Sequence, residues 1–370
     1  MNQLQIGVRA TPLAPKPGAR PSESPTGTTL VRAKAPLRIS FAGGGTDVSP
    51  FPETEGGCVL SSTINRYAWG TLRPRSDGQI WINSLDLGLS LSYSSREELV
   101  YDGQMDLPKA AINRLTGSHN GGYDLFLHSD APPGSGLGSS SAMMVVLVGL
   151  LKEFHSLPLS DYEIADLAYM IERIDLGIQG GMQDQYAAAF GGFNFIEFLG
   201  DRAIVNSLKV SPDILNELEY NLMLCHTGKV RLSAHIIQDQ VERYEARDAE
   251  TTAALRQLKG LTLDMKNALL RRRLDEFGEL LGVEWEHKKR MSPKISSPEL
   301  DELYELAKRE GAIGGKITGA GGGGYMLLYC RFDRKHALAA RLRSLGCEIH
   351  EFALESVGLQ SWRVDSRNAH

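Results

Sequence analysis

The most informative stretch of this chain is residues 132–142, which read Pro-Pro-Gly-Ser-Gly-Leu-Gly-Ser-Ser-Ser-Ala. The stretch runs directly into an apolar segment. Glycine lets the backbone turn tightly and approach a ligand closely. The start of a helix adds unpaired N–H groups and the positive end of the helix dipole. The combination predicts a site for phosphate oxygens at the start of a long helix that runs from about 138 to 154.

Two common nucleotide motifs do not fit this loop. A Walker A loop needs Gly-Lys-Ser or Gly-Lys-Thr, and no lysine lies in 132–142. A dinucleotide fingerprint needs a glycine where Ser139 stands. Residues 319–324 do match its glycine spacing, but a strand pattern follows them instead of a helix. A flexible turn with serine caps is the ordinary alternative for such loops, and the abrupt apolar helix argues against it here.

Composition excludes several classes of partner. Lys and Arg number 40 against 45 for Asp and Glu, a net charge of −5, so we expect no nucleic-acid or membrane partner and a local cluster for any anionic ligand. The four cysteines are widely spaced, which argues against a zinc site or disulfide framework and favours a cytoplasmic location. The first thirty residues contain five prolines and no apolar core, which predicts a disordered arm or a mis-assigned start rather than a signal peptide.

The pattern of apolar residues predicts an α+β protein. Helices are predicted from Ser160 to Gly177, within 232–290, from Ser297-Pro298 to Gly311, and near 334–344. Strands are predicted at 37–42, 66–73, 79–84, 325–330, 347–353 and 357–364. We place the domain boundary near 205, which gives an arm at 1–30, an N-terminal domain at 31–205 and a C-terminal domain at 206–370.

Three motifs in order resemble those of the GHMP kinases, which include galactokinase, homoserine kinase and mevalonate kinase. The phosphate loop is the second of them. Residues 37–47, Leu-Arg-Ile-Ser-Phe-Ala-Gly-Gly-Gly-Thr-Asp, are similar to the first motif, and residues 316–324, Lys-Ile-Thr-Gly-Ala-Gly-Gly-Gly-Gly, are similar to the third. The resemblance covers most of the chain from about residue 31. It implies an N-terminal domain like domain 2 of ribosomal protein S5, a ferredoxin-like C-terminal domain, and ATP and acceptor in the cleft between them.

The resemblance also implies the ATP and Mg²⁺ sites. Mg²⁺ prefers oxygen ligands, usually few from the protein together with phosphates and water. In the family pattern the protein ligands of Mg²⁺ correspond to Glu172 and to Ser140, with Ser141 as the alternative serine. The alternative explanation of Glu172 is an exposed glutamate on a helix. The residues expected to bind ATP are Pro133, Gly134, Ser135, Gly136, Leu137, Gly138, Ser139, Ser140 and Ser141.

Two residues match the catalytic pair of the sugar-phosphorylating members. Asp184, in Gly-Gly-Met-Gln-Asp-Gln-Tyr at 180–186, corresponds to the catalytic aspartate, and a helix-capping role is its alternative. Arg38 corresponds to an arginine that stabilises the deprotonated acceptor, and a surface ion pair is its alternative. Asp47 corresponds to a residue that accepts hydrogen bonds from sugar hydroxyls, or else it is a turn residue.

Within the family the sequence is most similar to the D-glycero-D-manno-heptose 7-phosphate kinases, through residues 42–47, 183–192 and 226–234. Galactokinases have Gly-Glu-His-Thr-Asp where this chain has Gly-Gly-Gly-Thr-Asp. The implied reaction is phosphorylation of C1 of a sugar phosphate, with Arg231, Lys229, Lys288 or Lys289 holding the acceptor's phosphate. Another sugar 1-kinase, of the fucose or arabinose type, and a catalytically inactive sugar sensor stay open. The residues expected to contact the acceptor are Gly43, Gly44, Gly45, Thr46, Asp47, Gly181, Thr227, Gly228, Arg231, Thr318, Gly319, Ala320 and Gly321.

Overall fold

Two sheets organise the chain in the computed structural model, which describes residues 29–116, 121–200, 202–229 and 233–365. The strands are β1 Thr29–Ala42, β2 Gly57–Arg75, β3 Ile80–Ser84, β4 Leu89–Tyr93, β5 Gly122–Ser129, β6 Phe193–Leu199, β7 Arg202–Ser207, β8 Leu222–His226, β9 Ala312–Ile317, β10 Tyr325–Cys330, β11 Glu348–His350, β12 Leu354–Glu355 and β13 Gln360–Asp365. The α-helices are α1 Phe51–Glu55, α2 Asp106–Leu115, α3 Ser139–His155, α4 Asp161–Tyr169, α5 Gln183–Phe190, α6 Pro212–Asn221, α7 Ser233–Glu245, α8 Ala249–Leu270, α9 Leu274–Lys289, α10 Pro298–Glu310 and α11 Lys335–Ser344.

The first sheet contains nine strands within the described residues. Its main path runs β13-β1-β2-β5-β3-β4, with β6 and β12 paired to β2 and β7 paired to β6. Every pairing is antiparallel except that of β3 with β5. The end of the chain returns to this sheet, because β13 pairs with β1 from Thr29↔Asp365 to Lys34↔Gln360. The boundary near 205 stays a prediction, and these last strands lie in the sheet of the N-terminal part.

Helix α3 packs against the first sheet and sets the position of the phosphate loop. Its residues 144–148 are fully buried, as expected for a helix that is apolar on all sides. The loop before it is attached to β1, since Arg38 N–H donates to the carbonyl of Leu137 at 3.0 Å. Core packing therefore holds the start of α3 at the end of β1.

The second sheet has the order β11-β8-β10-β9, all antiparallel, within the part of the chain that the structure describes. Counted along the chain this is the order 4-1-3-2, with helices between the first and second strands and α11 before the last. That arrangement is the ferredoxin-like one. The α+β class and the ferredoxin-like C-terminal part predicted from the sequence are confirmed.

Several predicted elements are found with nearly the same bounds. The strand at 325–330 is β10, and α10 begins after Ser297, whose Oγ accepts the N–H of Leu300 at 3.4 Å. Ser160 and Glu163 form the predicted capping box of α4. That helix continues as a π-helical turn, Met170–Asp175. No helix among the described residues is long and apolar enough to cross a lipid bilayer.

Candidate active site

A cavity of about 370 Å³ lies where the loops at 43–50, 130–138 and 318–324 meet. These loops follow β1, precede α3 and connect β9 to β10, so they carry the three sequence motifs. The start of α5 and the start of α7 close the other sides. The predicted residues that line this cavity are Arg38, Gly44, Gly45, Asp47, Pro133, Gly134, Gly136, Gly138, Ser139, Ser140, Ser141, Glu172, Gly181, Asp184, Gly319 and Ala320.

The phosphate loop and the third motif pack directly against each other. A Cβ built at Gly136 would lie 2.6 Å from the carbonyl oxygen of Thr318, and Gly136 has φ +83°, so only glycine fits there. Ser135 and Leu137 are fully buried behind the cavity wall, where the carbonyl of Ser135 accepts the N–H of Tyr325 at 3.2 Å. These two residues support the loop from behind. The other residues predicted to bind ATP line the cavity.

Glu172 is fully buried beside the first turn of α3. Its Oε1 accepts a hydrogen bond from Ser140 Oγ at 2.8 Å, and its Oε2 accepts one from Ser141 Oγ at 2.7 Å. Gln185 Nε2 also donates to Oε2 at 2.7 Å, and Arg173 Nη1 lies 3.3 Å from Oε1. The glutamate is therefore held next to the phosphate loop and is not exposed on the helix surface.

Ser140 and Glu172 have the chemistry of a Mg²⁺ site. Both donate oxygen, which is the ligand type that Mg²⁺ prefers. Ser140 Oγ has Glu172 as its partner, whereas Ser141 Oγ also lies 3.2 Å from both Arg173 Nη2 and Gln185 Nε2. Ser141 Oγ thus contacts three side chains, whereas among the described residues the Ser140 Oγ contacts Glu172 alone, so Ser140 is the freer of the two to contact an ion. Among the described residues no three His, Cys, Asp or Glu side chains cluster as a metal site.

Arg38 and Asp184 form a close pair in the wall of the cavity. Arg38 Nε and Nη2 lie 2.8 and 2.6 Å from Asp184 Oδ1, and Arg38 Nη1 donates to the carbonyl of Gly136 at 2.7 Å. No described donor contacts Asp184 Oδ2. Asp184 lies in the first turn of α5 but does not cap it, because Met182 occupies the N-cap position without a side-chain bond. The pair thus connects the phosphate loop to the start of α5.

Asp47 is a buried residue that lines the same cavity. Its Oδ1 accepts the N–H of Gly45 at 3.0 Å, and its Oδ2 accepts the N–H of Gln183 at 3.1 Å. Burial raises the pKa of the Asp47 carboxyl, and these two backbone N–H groups oppose the rise. A Cβ built at Gly181 would lie 2.0 Å from Asp47 Oδ2, so the chain can pass this carboxylate only at glycine.

We expect Gly181→Ala to destabilise the protein by roughly 1–3 kcal/mol, because the new methyl group displaces the buried Asp47 carboxylate. The shift of the melting temperature measures the effect. Gly260→Ala is the matched control, since a Cβ at this exposed helix position meets nothing within 4 Å. Alanine is the better helix former, so the control should match or exceed the wild-type stability. Equal melting temperatures for Gly181→Ala and the wild type would show that Asp47 moves at no cost.

The other described residues that were predicted to contact the acceptor do not line the cavity. Gly43 and Thr46 brace the first loop, where Thr46 Oγ1 lies 2.8 Å from the carbonyl of Gly43. Thr227 Oγ1 donates to the carbonyl of Gly324 at 2.9 Å, and Thr318 is buried under the third motif. Gly228 and Gly321 also lie outside the lining residues. Arg231 falls outside the described residues.

Helices bring three further polar residues to the cavity, Gln240 from α7, Lys288 from α9 and Gln183 from α5. Sequence reasoning gave no role to the two glutamines. Gln183 stands within a segment already singled out, and its Nε2 lies 3.3 Å from Asp47 Oδ1. Lys288 was one of four candidate cations, and of the three that the structure describes it is the one in the cavity wall. Lys289 instead lies 2.9 Å from Glu286, and Lys229 lies 3.4 Å from Glu299.

Comparison with known proteins gives consistent matches along the chain. Residues 106–192 match the model of the GHMP kinases N terminal domain, and residues 265–346 match that of the GHMP kinases C terminal domain. A Campylobacter jejuni protein named D-glycero-alpha-D-manno-heptose 7-phosphate kinase is 39% identical over 338 residues, which cover 90% of this chain and 99% of that protein. A Bacteroides thetaiotaomicron crystal structure, described as a D-glycero-D-manno-heptose 1-phosphate kinase, is 38% identical with a TM-score of 0.76, and 90% and 99% of the two chains are covered.

A more distant relative is a fusion of two enzymes. The bifunctional fucokinase/GDP-fucose pyrophosphorylase of Arabidopsis thaliana is 28% identical over 354 residues. The match covers 90% of this chain but 32% of that protein. The chain therefore spans about a third of the fused enzyme.

Proposed function

The chain belongs to the GHMP kinase family, and from this premise we propose that it phosphorylates the anomeric C1 hydroxyl of D-glycero-D-manno-heptose 7-phosphate with ATP. The product would be the 1,7-bisphosphate, an intermediate for nucleotide-activated heptose and surface polysaccharide. The observation that carries the phosphoryl-transfer part is the Arg38–Asp184 pair, which lies in one cavity with the phosphate loop. The acceptor rests on the heptose 7-phosphate kinase that is 39% identical.

In the proposed reaction Asp184 orients the C1 hydroxyl and accepts its proton. The C1 oxygen forms a bond to the γ-phosphorus, the bond from that phosphorus to the β–γ bridging oxygen breaks, and ADP leaves. Arg38 holds Asp184 through Oδ1, which leaves Oδ2 for the proton. The Arg38 guanidinium also stabilises the negative charge that develops on the acceptor oxygen. Asp47 and the first-motif loop hold hydroxyls of the sugar.

The start of α3 would hold the phosphates of ATP. Its backbone N–H groups and its dipole favour anions. Ser140 and Glu172 would hold Mg²⁺, which when bound neutralises charge on the β- and γ-phosphates. The hydrogen bond of 2.8 Å between Ser140 Oγ and Glu172 Oε1 supports a shared ion, because both oxygens lie within reach of one cation.

We expect Ser140→Ala and Glu172→Gln each to raise the Mg²⁺ concentration that gives half-maximal activity. Their effects should not be additive, because both oxygens serve one ion. The measurement is activity against Mg²⁺ concentration for both single variants and the double variant. Ser207→Ala is the matched control, because Ser207 lies outside the cavity, where its Oγ donates to Asn194 Oδ1 at 2.8 Å. An unchanged Mg²⁺ requirement in Glu172→Gln would place the ion elsewhere.

The acceptor is tested by ADP release across a panel of sugars. The panel contains D-glycero-D-manno-heptose as the 7-phosphate, the 1-phosphate and the free sugar, together with L-fucose, D-arabinose and D-galactose. The two heptose kinase relatives are named for different phosphate positions, so both monophosphates are needed. We expect the 7-phosphate to be used fastest and ³¹P NMR of its product to show a new phosphate coupled to the anomeric proton. Faster use of the 1-phosphate or of free fucose would overturn the proposed acceptor, and no turnover with any sugar would favour a sugar sensor.

A further inference from the structure

Lys288 is a buried amine in the cavity wall, and the described part of the chain offers it no carboxylate partner. The residue is 3% exposed, and its Nζ donates a hydrogen bond of 2.6 Å to the carbonyl of Gly319. Among the described residues no Asp or Glu oxygen lies within 4.0 Å of Nζ. An ammonium has three N–H donors, so two of them lack an acceptor in the described part of the chain. Buried charged groups are normally paired, so an unpaired one in a cavity indicates a ligand.

The carboxylates near Lys288 are already engaged. The charged groups that face it are Glu284 on its own helix, Lys316 of β9, Arg38 of β1 and Asp47 of the first loop. Glu284 is paired with Lys316 at 2.6 Å, and Asp47 accepts backbone N–H groups. Burial lowers the pKa of Lys288 to about 7, with Lys316 and Arg38 adding to the shift and Glu284 and Asp47 opposing it. Near neutral pH the free protein therefore holds this amine poised between its two charge states.

Lys288 Nζ lies between the first-motif loop, which is proposed to hold the acceptor, and the third-motif loop, which packs on the phosphate loop. A Cβ built at Gly44 of the first motif would lie 3.4 Å from Nζ. Gly319, which accepts the Nζ hydrogen bond, packs on the phosphate loop, because a Cβ built there would lie 2.6 Å from Gly136 Cα. The amine thus lies between the two loops that the proposed reaction brings into contact with sugar and ATP.

We propose that Lys288 binds a phosphoryl oxygen of a reactant and takes up a proton when that group enters the cavity. This inference rests on the proposed function for the identity of the reactants. The phosphoryl group is either the γ-phosphate of ATP or the phosphate of the acceptor sugar. In both cases the dianion supplies the charge partner that the described residues do not, and a charge-assisted hydrogen bond forms. A purely structural lysine that anchors Gly319 would take up no proton on ligand binding.

Isothermal titration calorimetry in two buffers of different ionisation enthalpy measures this proton uptake. The probes are a non-hydrolysable ATP analogue with Mg²⁺, heptose 7-phosphate and free heptose. A group with a pKa of about 7 is about nine-tenths neutral near pH 8, so the uptake by the wild type should approach one proton there and fall toward zero near pH 6. Binding should weaken correspondingly as the pH rises above about 7, because the ammonium must first be formed.

Lys288→Met and Lys289→Met form a matched pair on adjacent positions of α9. Methionine replaces the buried lysine at similar volume, and Lys289 lies outside the cavity on Glu286 and Asp301. We expect Lys288→Met to abolish the extra proton uptake and to weaken the phosphoryl ligand about tenfold, while Lys289→Met binds like the wild type. Protons that the ligand itself takes up or releases on binding contribute equally to both proteins, so they cancel when the uptake by Lys288→Met is subtracted from that by the wild type. Melting temperatures show that both variants are folded.

The pattern across probes identifies the source of the phosphoryl group. If Lys288→Met loses proton uptake and affinity only for the ATP analogue, Lys288 binds the γ-phosphate. If it loses them only for heptose 7-phosphate, Lys288 binds the phosphate of the acceptor. Equal uptake and affinity in Lys288→Met and Lys289→Met, for ligands that the wild type binds, would overturn the inference. Failure of the wild type to bind heptose 7-phosphate would contradict the proposed acceptor instead, and the ATP arm would still test Lys288.

Discussion

Asparagine in place of Asp184 is expected to lower kcat at least about a hundredfold with little change in the affinity for ATP. The amide keeps the shape of the side chain but cannot accept the proton of the acceptor hydroxyl. The substitution also removes the negative partner of Arg38. Arg38 is 4% exposed, and its Nη2 lies 2.6 Å from Asp184 Oδ1. Because phosphoryl transfer passes through a loose transition state, a proton acceptor that acts late contributes less than in acyl transfer. We therefore expect a loss near this lower bound.

The measurement is steady-state kcat together with ATP binding to the free variant. Asp166→Asn is the matched control, because Asp166 accepts the hydroxyl of Tyr186 and lies outside the cavity. Loss of the Arg38 partner also lowers stability, so circular dichroism and the melting temperature must show that Asp184→Asn is folded at the assay temperature. A folded variant with near-wild-type turnover would remove Asp184 from the catalytic step.

The second large effect concerns the phosphate that the acceptor already carries. We expect the wild type to prefer heptose 7-phosphate over free heptose by a factor on the order of a hundred or more in kcat/KM. A dianion held by preorganised cations gains charge-assisted hydrogen bonds of about 1.5–3 kcal/mol each. Of the four candidate cations, Arg231 is our first choice for such a contact, and Ser233, two positions later, lines the cavity. Arg231→Ala should therefore penalise the phosphorylated sugar and barely affect the free sugar.

The comparison needs both acceptors, in both proteins, at one ionic strength. Lys229→Ala is the control, because Lys229 is half-exposed and lies 3.4 Å from Glu299 outside the cavity. Equal losses for the two acceptors in Arg231→Ala would show that this residue does not contact the phosphate. A wild type that prefers free heptose would remove the 7-phosphate as acceptor and favour a plain sugar 1-kinase.

The parts of the candidate site that could be predicted are those that consist of short, uninterrupted sequence motifs. Glycine-rich loops next to strands and helices indicate that the backbone approaches a ligand closely. In the structure all three such loops meet at one cavity. Arg38 and Asp184 lie inside or beside these patterns. Their separation of 146 positions in sequence becomes 2.6 Å in space, because β1 and α5 both pack around the start of α3.

The parts that could not be predicted depend on long-range packing. Lys288 belongs to a helix whose last turn contains three basic residues, and only tertiary structure decides which of them is buried. Thr46 and Thr227 have the chemistry of sugar ligands, but their hydroxyls bond backbone carbonyls. The return of β12 and β13 to the first sheet has no local signal, because short strands of mixed polarity pair equally well elsewhere.

The pairing of β13 with β1 also has a consequence for synthesis of the chain. The two strands are more than three hundred residues apart in sequence, because the pairs run from Thr29↔Asp365 to Lys34↔Gln360, so β1 is synthesised long before β13. Until β13 has emerged from the ribosome, β1 has an open edge on that side, and such edges favour contacts with other chains. The sheet that carries Arg38 is therefore completed only once β13 is available to pair. A fragment that stops near residue 205 would keep this edge open permanently, and aggregation of nascent chains is the hazard that its cell must manage.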